Sequence, residues 1–147
     1  MKLKLGSRAL VEQAEQEIES LTPAEVDARI GQEGVLLIDL RDVRELAREG
    51  KIPGAIHVPR GLLEFWIDPD CIYYKDFFDD CREIIFYCNL DWRSALATHT
   101  IKRMGFENVS HMRGGFDRWV KEIGQVEAVT SPKKNVIDFR SRAVSVA

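Results

Sequence analysis

The sequence predicts an α/β fold with a mainly parallel central sheet flanked by helices. Val35-Leu36-Leu37-Ile38 and Ile84-Ile85-Phe86-Tyr87 are short continuous apolar runs, the pattern of strands buried on both faces of a parallel sheet. Each run passes at once into polar residues and then into a helical pattern, so strand, loop and helix follow one another twice.

The other elements follow in order. Ala9 to Ile18 is rich in Glu, Gln and Ala and spaces Leu10, Ala14 and Ile18 four residues apart, which predicts an amphipathic helix at the domain edge. Thr22, Pro23 and Glu25 have the pattern of a capping box and start a helix running to about Ile30. Asp42 can cap a helix through Arg48 that stops at Gly50, and Ser94 opens another that stops at Gly105. Ile56-His57-Val58 and Asn108 to His111 add short strands, and Gly114-Gly115 precedes a last helix carrying Phe116, Trp119 and Val120.

Residues 131–147 read as an extended tail: Pro132 sets them apart, and four Lys/Arg against one Asp make them locally basic. Val136, Ile137 and Phe139 are too apolar for a solvated segment. They are expected to pack on their own domain or, in a homodimer, on a second subunit. The expected organisation is an N-terminal helical extension over 1–20, one domain over 21–126 and a tail over 127–147.

Composition bounds the function. With 147 residues, 45% hydrophobic and 31% charged, the chain suits one globular domain with a core of its own. A net charge of -3 argues mildly against nucleic acid. No run approaches the roughly 20 apolar residues of a membrane span, and Met1 to Glu15 lacks a secretory apolar core, so a cytoplasmic, membrane-free protein is expected. Cys71, Cys81 and Cys88 show no CxxC spacing, and His57, His99 and His111 give no metal pattern. The histidines are expected at the surface or in satisfied structural roles, and Cys71 and Cys81 as unpaired structural thiols.

Cys88 directly follows the second apolar strand, at the carboxyl end where ligands bind in parallel α/β sheets. Six residues, Cys88 to Arg93, separate that strand from the helix opened by Ser94, and their N–H groups can curl around one anionic centre. A thiolate or persulfide anion there gains from those groups, from the helix dipole and from Arg93. Position alone leaves open that Cys88 is a small core residue.

The loop Cys88-Asn89-Leu90-Asp91-Trp92-Arg93 resembles the active loop of the rhodanese family: a Cys, four residues, then Arg and a helix. Leu37-Ile38-Asp39-Leu40-Arg41, with Glu45 after it, resembles the family's first signature. Gly50-Lys51-Ile52-Pro53-Gly54-Ala55-Ile56-His57-Val58-Pro59 resembles its second, with Lys51 in place of the usual His, and Gly114 to Trp119 resembles its closing Gly-Gly-x-x-x-Trp. Pro59 to Pro69 and Trp92 to Ala97 are similar to a single-domain bacterial branch.

The resemblance implies a three-layer rhodanese-like fold and a sulfurtransferase with Cys88 as nucleophile. Sulfur would pass from thiosulfate or a persulfide donor to a thiol, cyanide or protein acceptor, with no cofactor or metal. Asn89, Leu90, Asp91, Trp92, Arg93 and Ser94 would contact the substrate, Arg93 holding its anionic end. Asp39 and Arg41 are expected as a buried pair fixing the surrounding loops, Arg44 at the pocket rim, and Phe65 and Trp66 as core or pocket wall. Trp92 would shield Cys88, meet a partner or pack on the next helix.

Two alternatives stand beside this. One is a non-catalytic or protein-partnered sulfur-relay module of the same fold. The other, phosphatase or arsenate reductase, is disfavoured: phosphatases of this fold place five residues between Cys and Arg, whereas here four intervene and Asp91 would repel a phosphate dianion. Asp91 also departs from the branch, which commonly has Gly there. Asp tolerates a left-handed backbone, but its carboxylate opposes an anionic donor unless it points outward or meets a cation.

Overall fold

A computed structural model describes residues 1–130, and the expected packing and dimerisation of the tail lie outside that range. The elements are α1 (Ser7–Glu15), β1 (Glu19–Leu21), α2 (Pro23–Arg29), β2 (Val35–Asp39), α3 (Val43–Glu49), β3 (Ile56–His57), α4 (Leu63–Ile67), β4 (Glu83–Tyr87), α5 (Trp92–Arg103), β5 (Val109–Met112) and α6 (Gly115–Glu122). The five strands form one sheet in the order β1-β5-β4-β2-β3, every pairing parallel.

Alternation along the central strands sends side chains to opposite faces. Leu36, Ile38, Ile84 and Phe86 join one core cluster with Ala97 and Ile101 of α5. Leu37, Ile85 and Tyr87 join the other with Val26 of α2 and Phe116 and Trp119 of α6. Helices therefore cover both faces, which is why these strands read as unbroken apolar runs. Cys88 continues the Ile84 and Phe86 face and belongs to the α5-side cluster.

The strand order also locates the crevice. From β2 the chain moves outward to β3, then returns to the other side of β2 with β4 and continues to β5. The direction of winding reverses between β2 and β4, and a ligand crevice opens beyond the carboxyl ends of such a pair. Asp39 ends β2 and Cys88 follows β4.

The caps explain the local starts and stops. Asp42 forms a complete capping box with Glu45, and Gly50 ends α3 with φ 80°. Thr22 accepts the Glu25 N–H, but the Glu25 carboxylate takes the Thr22 hydroxyl, so only one arm of the expected box is present.

Four boundaries differ from expectation. Helix α1 ends at Glu15, and Glu19–Leu21 pairs with Ser110–Met112, so the sheet includes residues assigned to the N-terminal extension. Glu127, expected to open the tail, exchanges two backbone hydrogen bonds with Lys51 at 2.9 and 2.8 Å and is tied to the domain. Strand β5 extends to Met112. Helix α5 begins at Trp92, because Asp91 completes the preceding turn in a left-handed conformation with φ 115°.

Candidate active site

The early start of α5 shapes the loop. Its first-turn N–H groups have no partners within the helix, and the Ser94 N–H points at Cys88 Sγ, 3.4 Å away. The Asp91 N–H approaches the same sulfur at 3.3 Å, and Cys88 is almost fully buried at 1% exposure. Two backbone donors thus converge on one sulfur atom at the N-terminal end of a 12-residue helix. Such a site favours negative charge on sulfur.

Asp91 is the only non-glycine with positive φ among the described residues. Its carboxylate is tied to backbone, Oδ2 accepting the Gly114 N–H at 2.8 Å, while the residue stays partly exposed. Two further bonds run the same way, from Phe116 N–H to the Cys88 carbonyl at 2.8 Å and from Asp117 N–H to the Asn89 carbonyl at 3.1 Å. The N-terminus of α6 therefore holds the loop from the side opposite α5. Gly115 permits this approach, since a Cβ there would lie 2.5 Å from both the Cys88 and Asn89 carbonyl oxygens.

Arg93 extends from the first turn of α5 to Glu45 in the first turn of α3, with N···O distances of 2.8 and 2.9 Å. The fork-to-carboxylate geometry satisfies both partners. It holds the Glu45 carboxyl below its ordinary range and raises the Arg93 guanidinium further. The cation expected to grip an anionic donor is thus already neutralised.

Asp39 and Arg41 form a fully buried pair, Nη2 to Oδ2 at 2.8 Å. Tyr87 donates to the same Asp39 oxygen at 2.6 Å and Arg41 donates to the Gly50 carbonyl at 2.6 Å, while the guanidinium stacks 4.1 Å from the Phe116 ring centroid. Burial pushes the Tyr87 hydroxyl well up, so it stays protonated and donating. This cluster joins β2, β4, α3 and α6 behind the loop.

The remaining expected residues divide. Leu90 and Trp92 are 45% and 64% exposed and flank Asp91, and Trp92, the first residue of α5, keeps its ring largely in solvent. A cleft of about 450 Å³ beside them is lined by Arg8, Val11 and Glu12 of α1 together with Trp92, Arg93 and Leu96. Arg44 is highly exposed and bonded to Asp42. Phe65 is exposed, and Trp66 packs on the α5-side core with Lys75 over its ring. A larger cavity, about 490 Å³, contains Cys81 and lies among Ile67, Phe78 and Met104, away from the Cys88 loop. Burial raises the Cys81 thiol to about 11.

Three contacts were not evident in the residue pattern. Ser94 Oγ lies 3.6 Å from Cys88 Sγ and 3.0 Å from His111 Nδ1, and His111 Nε2 lies 2.9 Å from Ser20 Oγ. Among the described residues, no group of three or more His, Cys, Asp or Glu side chains is arranged to hold a metal ion.

The rhodanese-like domain profile matches residues 22–122. The chain belongs to the rhodanese-like family. This rhodanese-like chain is 41% identical to a Rhodopseudomonas palustris protein of unknown function described as a possible tyrosine phosphatase; the two superpose with a TM-score of 0.82 over 86% of this chain and 98% of that one. A rhodanese-related protein from Thermoplasma volcanium shares the fold at 24% identity, with a TM-score of 0.59 over 76% of this chain and 99% of that one. The mouse thiosulfate sulfurtransferase/rhodanese-like domain-containing protein 3 is 27% identical over 68% of this chain and 67% of that protein. The tRNA uridine(34) hydroxylase of Mesorhizobium japonicum is 26% identical over 82% of this chain but only 38% of that protein, so the chain spans little more than a third of the hydroxylase. At the level of the family, sulfur transfer is the supported chemistry.

Proposed function

We propose that this rhodanese-like chain is a sulfurtransferase that carries a sulfane sulfur on Cys88 as a persulfide. The observation that supports this reading is the convergence of the Asp91 and Ser94 N–H groups on Cys88 Sγ. In the first half-reaction the Cys88 thiolate attacks the outer sulfur of the donor. A new S–S bond forms, the donor's own S–S bond breaks, and its inner sulfur leaves with the electron pair, as a thiolate from a persulfide or as sulfite from thiosulfate. In the second, a thiolate or cyanide acceptor attacks the outer sulfur and Cys88 departs as thiolate.

Charge around the loop favours a persulfide donor over thiosulfate. Arg93 is taken up by Glu45, and Asp91 brings a carboxylate to the loop without a compensating cation. A dianion would have to compete with Glu45 for the Arg93 guanidinium. The same charges oppose a phosphate dianion, and four rather than five residues separate Cys88 from Arg93, so the phosphatase reading gains nothing from the site.

The protein-partnered reading has one observation in its favour. Leu90 and Trp92 stand exposed beside the cleft between α1 and α5, a rim suited to docking a protein that delivers or receives sulfur. Intact-mass analysis after exposure to thiosulfate or to an alkyl persulfide tests the central reading. The wild type should gain the mass of one sulfur atom and Cys88→Ser should not. No gain with any donor would sink sulfur carriage by Cys88.

A further inference from the structure

Cys88, Ser94 and His111 are buried, at 1%, 0% and 1% exposure, yet their polar atoms form a continuous chain that reaches the edge of the sheet. From Cys88 Sγ it passes to Ser94 Oγ at 3.6 Å, from there to His111 Nδ1 at 3.0 Å, and from His111 Nε2 to Ser20 Oγ at 2.9 Å. His111 lies on β5 and Ser20 on β1, the edge strand paired beside it, where Ser20 is partly exposed. A buried thiol must lose a proton before it can act, and this chain runs from the sulfur toward solvent.

A neutral imidazole has one donor and one acceptor, so its tautomer sets the direction of every bond in the chain. With the proton on Nε2, the ring donates to Ser20 and accepts from Ser94, whose oxygen then faces a Cys88 S–H. With the proton on Nδ1, the ring donates to Ser94 and accepts from Ser20, and the Ser94 hydroxyl proton is free. Two acceptors compete for it, the Asp91 carbonyl at 3.0 Å and the sulfur. A negative sulfur wins that competition because charge-assisted bonds are the stronger. One tautomer therefore suits the thiol and the other suits the sulfur anion.

We propose that Ser94, His111 and Ser20 form a proton path that removes the Cys88 proton and leaves the Ser94 hydroxyl donating to the resulting thiolate or persulfide anion. The step balances. The S–H bond breaks and its proton goes to Ser94 Oγ, the Ser94 proton passes to Nδ1, the Nε2 proton passes to Ser20 Oγ, and the Ser20 proton leaves to solvent. Sulfur alone changes charge, and no oxidant or reductant takes part. Burial supports the neutral ring, lowering His111 to about 4 against the attraction of Asp91 and with the help of Arg113. The proposal rests on Cys88 as nucleophile and makes His111 and Ser20 positioning residues that act through Ser94.

Iodoacetamide alkylation of the full chain, followed on the Cys88 peptide by mass spectrometry at about pH 7 and about pH 9, tests the path without any sulfur donor. Ser94→Ala and His111→Phe should each lower the ratio of the two rates about tenfold, the effect of losing one charge-assisted hydrogen bond. Ser20→Ala, which removes one hydroxyl at the sheet edge and keeps the test valid if His111→Phe fails to fold, should lower it severalfold. His111→Asn, whose amide can stand in for Nδ1 and donate to Ser94, should recover part of the ratio. A ratio that falls only in Ser94→Ala, or in none of the folded variants, overturns the path. Failure of sulfur loading with every donor would instead overturn sulfur carriage and leave this measurement standing.

Discussion

The Asp91 carboxylate accepts the Gly114 N–H at 2.8 Å while the Asp91 backbone holds φ at 115°. One residue thus closes the turn before α5 and fastens it to the start of α6. A left-handed conformation costs a non-glycine residue about 1–2 kcal/mol, and the hydrogen bond to a part-buried donor returns a comparable amount. Asp91→Gly should therefore change stability by less than about 1 kcal/mol, since relief of strain offsets the lost bond. Asp91→Ala keeps the strain and loses the bond, and should destabilise by about 2 kcal/mol in urea titrations. Equal losses in the two variants would contradict this division.

Glu45 governs what Arg93 can bind. Glu45→Gln keeps a side chain able to reach the Asp42 N–H and removes the charge that neutralises the guanidinium. Thiosulfate KM should fall severalfold, with little change in turnover on an alkyl persulfide. If both donors respond alike, the ion pair shapes the loop and does not set donor preference. Asp91→Asn should act in the same direction on thiosulfate, and more weakly.

Acid should weaken the fold through two groups of opposite kind. His111 is held at about 4 by burial against an ordinary 6.5, so between those values the unfolded chain takes up a proton that the folded chain refuses. Stability then falls as the pH drops from about 6.5 to about 4, by up to about 3 kcal/mol. Glu45 is held below its ordinary 4.5, chiefly by its hydrogen bonds with Arg93. Its stabilisation is complete above that value and is lost as the pH falls through the lower folded-state value. Urea midpoints across this range should show the decline, and His111→Asn should flatten its upper part.

Gly115→Ala should be severely damaging for a single added methyl. The new Cβ meets two backbone oxygens at 2.5 Å, and backbone cannot swing aside as a flexible side chain can. We expect a loss of about 3 kcal/mol or more and no sulfur loading. A wild-type melting temperature in this variant would show that α6 does not grip the loop.

Trp92→Ala should leave stability within about 0.5 kcal/mol of wild type, because the ring is 64% exposed. With a small alkyl persulfide its KM should be near wild type. With a protein acceptor it should rise, and equal behaviour toward both would remove the rim from partner docking.

The residue pattern made some of this legible and hid the rest for physical reasons. β2 and β4 were readable because burial on both faces writes an unbroken apolar run, and Asp42 and Gly50 marked α3 through capping chemistry that acts within a few residues. Cys88 was readable from its place after β4 and from the motifs around it. β1 was not: Glu19–Leu21 is three residues long, has an exposed first residue, and becomes a strand only by pairing with Ser110–Met112. The start of α5 was missed because the turn depends on a left-handed Asp91, which the Gly114 N–H helps hold. Ser20 with His111, and Glu45 with Arg93, are separated by 91 and 48 positions in sequence, and no local signal announces either pair.

The three hydrogen bonds from α6 to the loop also fix when the thiol becomes special. During synthesis Cys88 emerges well before Gly114, Phe116 and Asp117, and until those arrive the Cys88 and Asn89 carbonyls and the Asp91 carboxylate lack their partners. The left-handed turn then has little to hold it, and the Asp91 and Ser94 N–H groups are not aimed at one atom. Until α6 is in place the sulfur lacks its two aimed donors, so the setting on which the proposed sulfur carriage depends is completed only when residues 114–117 dock against the loop.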